Sequence, residues 1–293
     1  MTTSAPRRVS RLKILGISAL VLAAVGLGAG YLLVFSWVID ETHFDRPSAE
    51  FDRLEAEITA LPGVVAVDKE RWVEAPIFSN PSSALRVTLD RAALPALLDL
   101  ACSSDYRDPV VWGLTVRTPA GAEVSVFAEP AASGCPDFPV DVLPTVDAVN
   151  RLAPGRSIQA AVWENGRLSF SDLLDGRDDI STMIPLVAAA DELRRAADVD
   201  ADGEIEISGP RLTAAPAPGE SAAYAALLRT LVDAYGVTGF WDGAGGGMPT
   251  DGVAKTQILC DPASSTASAE AVEEAIRSSG LRLADAPLDF RKG

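Results

Sequence analysis

From Ser48 onward the chain repeats one order of periodicities, helix then strand then strand, and no other feature limits its folds as strongly. Phe51, Leu54, Ile58 and Leu61 recur at helical spacing, and Gly63 supplies the stop. Val64 to Val73 is a mixed apolar strand. After Asn80 and Pro81, Leu85, Val87 and Leu89 alternate with Arg86 and Thr88, the period of a strand with one buried face. The order then returns. Leu94, Leu97, Leu98 and Ala101 stripe a helix that starts near Pro95, where proline is tolerated, and Val110 to Val116 and Val124 to Ala128 alternate on either side of Pro119, Ala120 and Gly121. Two such units over residues 48–130 predict a ferredoxin-like α+β sandwich, four antiparallel strands with both helices on one face.

Beyond a proline-rich linker, 131–144, a further round starts at Thr145. A short helix ends at Pro154 and Gly155, Ile158 to Val162 alternates, Asn165-Gly166 is a hairpin turn, and Leu168 and Phe170 resume. One helix is expected from Thr182 to Ala197, then a brief strand at Ile205 and Ile207. After a second proline-rich stretch, Tyr224, Leu227, Leu228, Leu231 and Tyr235 mark a helix stopped by Gly236. Val237 to Trp241 and Val253 to Cys260 are strands around a GAGGG insert, and a last helix carries Val272 and Ile276. The reading is tandem ferredoxin-like domains at 48–130, 145–213 and 219–293, the last two separate or fused. Gly63, Gly155 and Gly236 recur 92 and 81 residues apart, a period of whole small domains rather than of solenoid repeats. Leu61 to Asp68, LPGVVAVD, resembles a wording of small αβ modules in bacterial envelope proteins, over fewer than ten residues, and identifies no family.

Ahead of these rounds, Ile14 to Ile39 carries no charge and exceeds the about 20 residues a membrane-spanning helix needs. Arg7, Arg8, Arg11 and Lys13 precede it, and Asp40, Glu41 and Asp45 follow. The positive-inside rule then predicts a cytoplasmic tail at 1–13, a transmembrane helix at 14–39, a stalk at 40–47 and an extracytoplasmic remainder. Apolar sequence runs on through Tyr31 to Phe35, where a cleaved signal peptide would turn polar. Gly26 and Gly30 form a GxxxG pair through which two such helices could approach as a homodimer. All 41 acids but only 21 of the 25 bases lie beyond this stretch, leaving that part about −20. Nucleic acid is thereby excluded as a partner, since phosphate binding needs a basic face. The expected setting is a cell envelope of bacterial type, with the membrane and another envelope protein as partners.

The chemistry is bounded by what is scarce. His43 is the only histidine, which excludes histidine-based triads and HExxH zinc sites. No Walker A loop and no GxGxxG follows a strand, and none of the lysines beyond the apolar stretch, Lys69, Lys255 and Lys292, completes an SxxK motif. Asp198, Asp200 and Asp202 with Gly203 spell DVDADG, the opening of an EF-hand-like calcium loop. Its twelfth position is Gly209 instead of a bidentate acid, and Glu206 completes it only in part. Of three cysteines, Cys102 ends a predicted helix and Cys135 follows the final strand of the same predicted domain, so they are the expected disulfide, with Cys260 left over as a small hydrophobe. No catalytic residue and no cofactor are expected. The functional expectation is a non-enzymatic binding or scaffolding module, the alternative being a carboxylate-dependent hydrolase or a calcium-dependent binding protein.

Overall fold

The computed structural model describes residues 43–74, 80–130, 135–173, 180–242, 253–260 and 269–292. Ser48 starts the first helix, its hydroxyl accepting the Phe51 N–H at 3.4 Å and so satisfying a donor that a helix N-terminus leaves without a partner. That helix, α1 (Ala49–Thr59), buries Phe51, Leu54 and Ile58. The first strands are β1 (His43–Asp45), β2 (Val64–Glu74) and β3 (Ser82–Asp90). Next come α2 (Leu94–Ser103) with β4 (Val110–Arg117) and β5 (Glu123–Ala128), then α3 (Val142–Leu152) with β6 (Ser157–Val162) and β7 (Leu168–Asp172). Two short helices, α4 (Ile184–Ala188) and α5 (Ala190–Ala196), lead to β8 (Ile205–Gly209) and β9 (Leu212–Ala214). The rest is α6 (Ser221–Tyr235), β10 (Val237–Trp241), β11 (Thr256–Cys260), α7 (Ala269–Arg277) and β12 (Leu288–Lys292).

The twelve described strands form one mixed sheet in chain order. Successive strands β4 and β5, β6 and β7, β8 and β9, and β10 and β11 pair antiparallel. Each pair joins the next in parallel: β3 with β4, β5 with β6, β7 with β8, β9 with β10, and β11 with β12. A parallel join needs a crossover of a dozen or more residues, and a helical segment supplies it every time: α2, α3, the α4 and α5 pair, α6, α7.

The chain divides into two units. In the smaller, which takes in residues up to Pro47 and Arg71–Ser82, β1 pairs antiparallel with the end of β2, Phe44 opposite Val73. Arg46 and Arg71 exchange backbone and guanidinium hydrogen bonds at 2.9 and 2.6 Å. The larger unit, Ser48–Glu70 with Ser83–Gly293, holds the core. Strand residues of one parity, among them Trp112, Val126, Ile158, Phe170, Ile207 and Phe240, join Leu97, Val149, Leu186 and Leu228 of the helices in one apolar cluster. Cys102 at the end of α2 is bridged to Cys135, 33 residues on.

Several expectations are overturned. The ferredoxin-like sandwiches are not formed, because β4 adds parallel beside β3 and β6 parallel beside β5, where the sandwich needs an all-antiparallel set. The sheet passes without interruption through both proline-rich stretches read as boundaries, since β5 pairs with β6 and β9 with β10. The helix expected from Thr182 to Ala197 is broken at Ala189 (φ −103°, ψ 15°) into α4 and α5. Residues 40–47, read as a stalk, contain β1, and β9 and β12 were not foreseen.

The transmembrane helix expected over Ile14 to Ile39, the pair Gly26 and Gly30 within it and the tail 1–13 lie outside the described residues. Among the described residues no helix is long and apolar enough to cross a membrane; α6 has 15 residues and carries Arg229 and Asp233. The single-pass anchor and the extracytoplasmic placement drawn from it are therefore corrected and not retained.

The bridge generates a prediction. Cys102→Ser should lower the unfolding free energy by roughly 3 to 4 kcal/mol, the chain-entropy value for a loop of this length. Urea unfolding checks it: reductant should bring the unsubstituted protein to the same midpoint as the variant, and equal midpoints without reductant would refute it.

Candidate functional site

A crevice lies beyond the carboxyl ends of β9 and β10, where Leu212 stands beside Phe240 and Thr213 beside Trp241. In open α/β sheets such crevices, facing a crossover helix N-terminus, are where ligands bind. Here α6 is that helix, entered from β9 through residues 215–220. Two adjoining clefts open at this place. One, of about 190 Å³, is lined by Ala215, Glu220, Tyr224, Asp242, Arg282, Leu283 and Ala286. The other, of about 240 Å³, takes Ala215 and Arg282 as shared walls and adds Arg167, Arg194, Asp202 and Glu204.

Tyr224, on the inner face of α6 and 1% exposed, donates its hydroxyl to Asp242 Oδ2 at 2.8 Å. Thr256 Oγ1 reaches the other carboxylate oxygen at 3.4 Å. Burial raises the phenol well above its ordinary range, and the Asp242 charge and hydrogen bond push the same way, so Tyr224 stays a donor. Its ring meets Phe240 edge-on, centroids 6.2 Å apart.

The second cluster centres on Arg194, whose side chain is 1% exposed. Its Nε donates to the Gly203 carbonyl at 2.8 Å, Nη1 to Asp191 at 2.6 Å and Nη2 to the Pro216 carbonyl at 2.6 Å. Asp191 also accepts from Ser221 Oγ at 2.7 Å and from the Gly219 N–H at 3.2 Å. One ion pair thus holds α5, the turn ahead of β8, the 215–219 segment and the start of α6. Burial works against the charge on Asp191, but the hydrogen bonds from Ser221 and Gly219 and the Arg194 charge outweigh it, and its carboxyl sits below the ordinary range. Burial lowers the Arg194 guanidinium. Glu220 accepts the Ala217 and Arg282 backbone N–H groups at 3.4 and 3.2 Å, and Arg282 Nη2 donates to the Ala215 carbonyl at 3.4 Å.

Of the three aspartates singled out for calcium, Asp198 and Asp200 have backbone roles. Asp198 follows α5 in the left-handed region, φ 56°. The Val199 N–H bonds the Arg194 carbonyl at 3.2 Å and the Asp198 N–H the Arg195 carbonyl at 3.3 Å, the two bonds of a Schellman cap. The Asp200 carbonyl accepts the Gly203 N–H at 2.9 Å, and a Cβ at Gly203 would stand 2.9 Å from that oxygen. Only Asp202 of the three lines a cleft described here, and Glu206 is paired with Arg167 at 3.0 Å. Among the described residues no group of three or more His, Cys, Asp or Glu side chains could hold a metal ion. Cys260, on β11, is half-buried and unbridged, and burial raises its thiol.

Facing away from the core cluster, the sheet carries a polar row in register: Thr88, Thr115, Ser125, Gln159, Ser171, Ser208, Thr213, Trp241, Gln257 and Asp289, one from each strand of β3 to β12. Thr115 and Ser125 are 3.2 Å apart and Ser171 and Ser208 2.8 Å. Phe127 covers Gly113 and the Trp241 ring covers Gly239, in each case occupying the space a Cβ would need. At the β6–β7 turn Trp163 is 54% exposed, with the Arg167 guanidinium 5.7 Å from its ring centre.

Sequence reasoning placed Tyr224 in the core and left Asp191, Arg194, Asp242 and Thr256 unremarked. An arginine in step with Leu193 and Ala190 on an inward helix face was the one local signal for the Arg194 cluster.

No known family matches the chain, and no curated protein matches it. The crystal structure of the sex pheromone staph-cAM373 precursor is similar over 62% of this chain and 82% of its own, at 8% identity and a TM-score of 0.22. A likeness that slight carries no argument.

The site makes two predictions. The Asp191 carboxyl ionises more readily folded than unfolded, so its stabilisation is complete above about pH 4 and is lost as pH falls through its depressed value. Unfolding followed between neutral and acid pH should show Asp191→Asn less stable than the unsubstituted protein at neutrality, the gap narrowing in acid; a constant gap would refute this. Asp198→Gly should stabilise by about 0.5 kcal/mol, the left-handed penalty of an L-residue less the extra chain entropy glycine loses. Loss of stability in a thermal melt would contradict the cap.

Proposed function

We propose that this protein is a non-enzymatic binding or scaffolding module that meets its partner on the polar face of its sheet. The observation that carries the reading is how Asp242 and Glu220, which line the first cleft, and Asp191 beside them are used. Asp191 is taken up by Arg194, Ser221 and Gly219, Asp242 by Tyr224 and Thr256, and Glu220 by two backbone N–H groups. A carboxylate hydrolase needs two acids turned toward one substrate volume, one to give a proton and one to attack or activate water. Here Asp191, Asp242 and Glu220 are turned toward their own chain, and Asp202 and Glu204 share their cleft with Arg167, Arg194 and Arg282. On the polar face, Trp163 with Arg167 against its ring has the composition of an interaction hot spot, in which tryptophan and arginine are enriched.

The test runs two arms on the full chain. Cross-linked partners recovered with the protein should fall by about tenfold on Trp163→Ala, as loss of a hot-spot side chain implies, with the melting temperature unchanged. A broad hydrolase screen should show no turnover. Turnover abolished by Asp242→Asn, or partner recovery indifferent to Trp163→Ala, would overturn the reading.

A further inference from the structure

The sheet ends at β12, beyond which no described strand pairs. Its hydrogen-bonding state follows from the partner it has. Thr256 donates its N–H to the Pro287 carbonyl at 2.8 Å while standing opposite Leu288. In a parallel ladder this turns the N–H and C=O groups of Asp289 and Arg291 toward β11, and those of Leu288, Phe290 and Lys292 outward. The outward groups of a sheet edge are a template for another strand.

We infer that β12 pairs antiparallel with β12 of a second copy of this chain, about a two-fold axis through Phe290. Three features select that partner and that register. With Phe290 opposite its own copy, Phe290 forms a hydrogen-bonded pair, and Leu288 with Lys292 forms the next, so the groups that bond across the axis are those facing outward. Asp289 then falls opposite Arg291 of the second copy, and Arg291 opposite its Asp289. These are non-hydrogen-bonded pairs, the closer of the two kinds in an antiparallel ladder. Both side chains lie on the polar face, partly exposed and 3.3 Å apart within one chain, so a second copy would close them into a ring of four alternating charges. A parallel pairing, or an antiparallel one shifted by two residues, forfeits this match.

Sedimentation velocity over a range of concentrations tests the inference on the full chain, with circular dichroism and thermal melting as fold controls. The unsubstituted protein should dimerise reversibly. Asp289→Arg and Arg291→Asp should each weaken the dimer by about tenfold, since each sets like charges opposite one another at both symmetric positions. The double variant, which restores opposite charges at both, should regain the original affinity. Phe290 amide exchange should slow as concentration rises, while Asp289 and Arg291, bonded to β11, stay protected throughout. A protein monomeric at every concentration, a dimer insensitive to either single change, or a double variant as weak as the singles would overturn the inference.

Discussion

The larger unit depends on one constraint: every antiparallel strand pair must be joined in parallel to the next. An antiparallel pair can close with a tight turn, but a parallel join has to carry the chain back along the sheet. The returning segment crosses a sheet face, and it can do so only by covering apolar side chains with its own. The helices therefore present Leu97, Val149, Leu186 and Leu228 to the strand residues of one parity, and a single core cluster results. The opposite parity, left without helices of this kind, is filled by hydroxyl and amide side chains in register and by rings laid over glycines.

Where the repeated order weakens, polar chemistry takes over. The third crossover is split at Ala189, β9 is only three residues long, and residues 215–219 have no regular structure. At that place the buried Arg194 bonds two carbonyls and Asp191, and Asp191 reaches Ser221 and Gly219. Removing one partner of such a pair leaves a buried charge uncompensated, a larger penalty than the pair's own net contribution. The same commitment explains why, in a crevice in the usual position for ligands, Asp242 and Glu220 are already taken up.

Most strands were legible in the sequence, because alternation such as that of Val110, Trp112, Leu114 and Val116 is a local signal. Strand neighbours were not. A ferredoxin-like sandwich and this continuous sheet share the order helix, strand, strand, and they differ only in whether β4 comes to lie parallel beside β3, a matter of long-range pairing. Prolines after Pro130 and after Ala214 mark the chain as irregular there but say nothing of whether the sheet continues beyond. In DVDADG, the aspartates and glycine that suggest a calcium loop also suit a left-handed cap and a tight turn, and position 198 is left-handed. Tyr224 was readable as core, whereas its hydroxyl partner, Asp242, is 18 residues away and gave no local sign.

The continuous sheet is the central claim, and its most exposed point is the parallel join between β5 and β6, on either side of a stretch that reads as a linker. Cross-strand nuclear Overhauser effects in the isotopically labelled protein measure that join directly. Contacts between the backbones of Val124 and Ser125 and those of Ile158 and Gln159 are predicted, in parallel register, alongside the antiparallel set between β4 and β5. A complete β4–β5 set with no contact from β5 to β6 would contradict the account and restore separate domains.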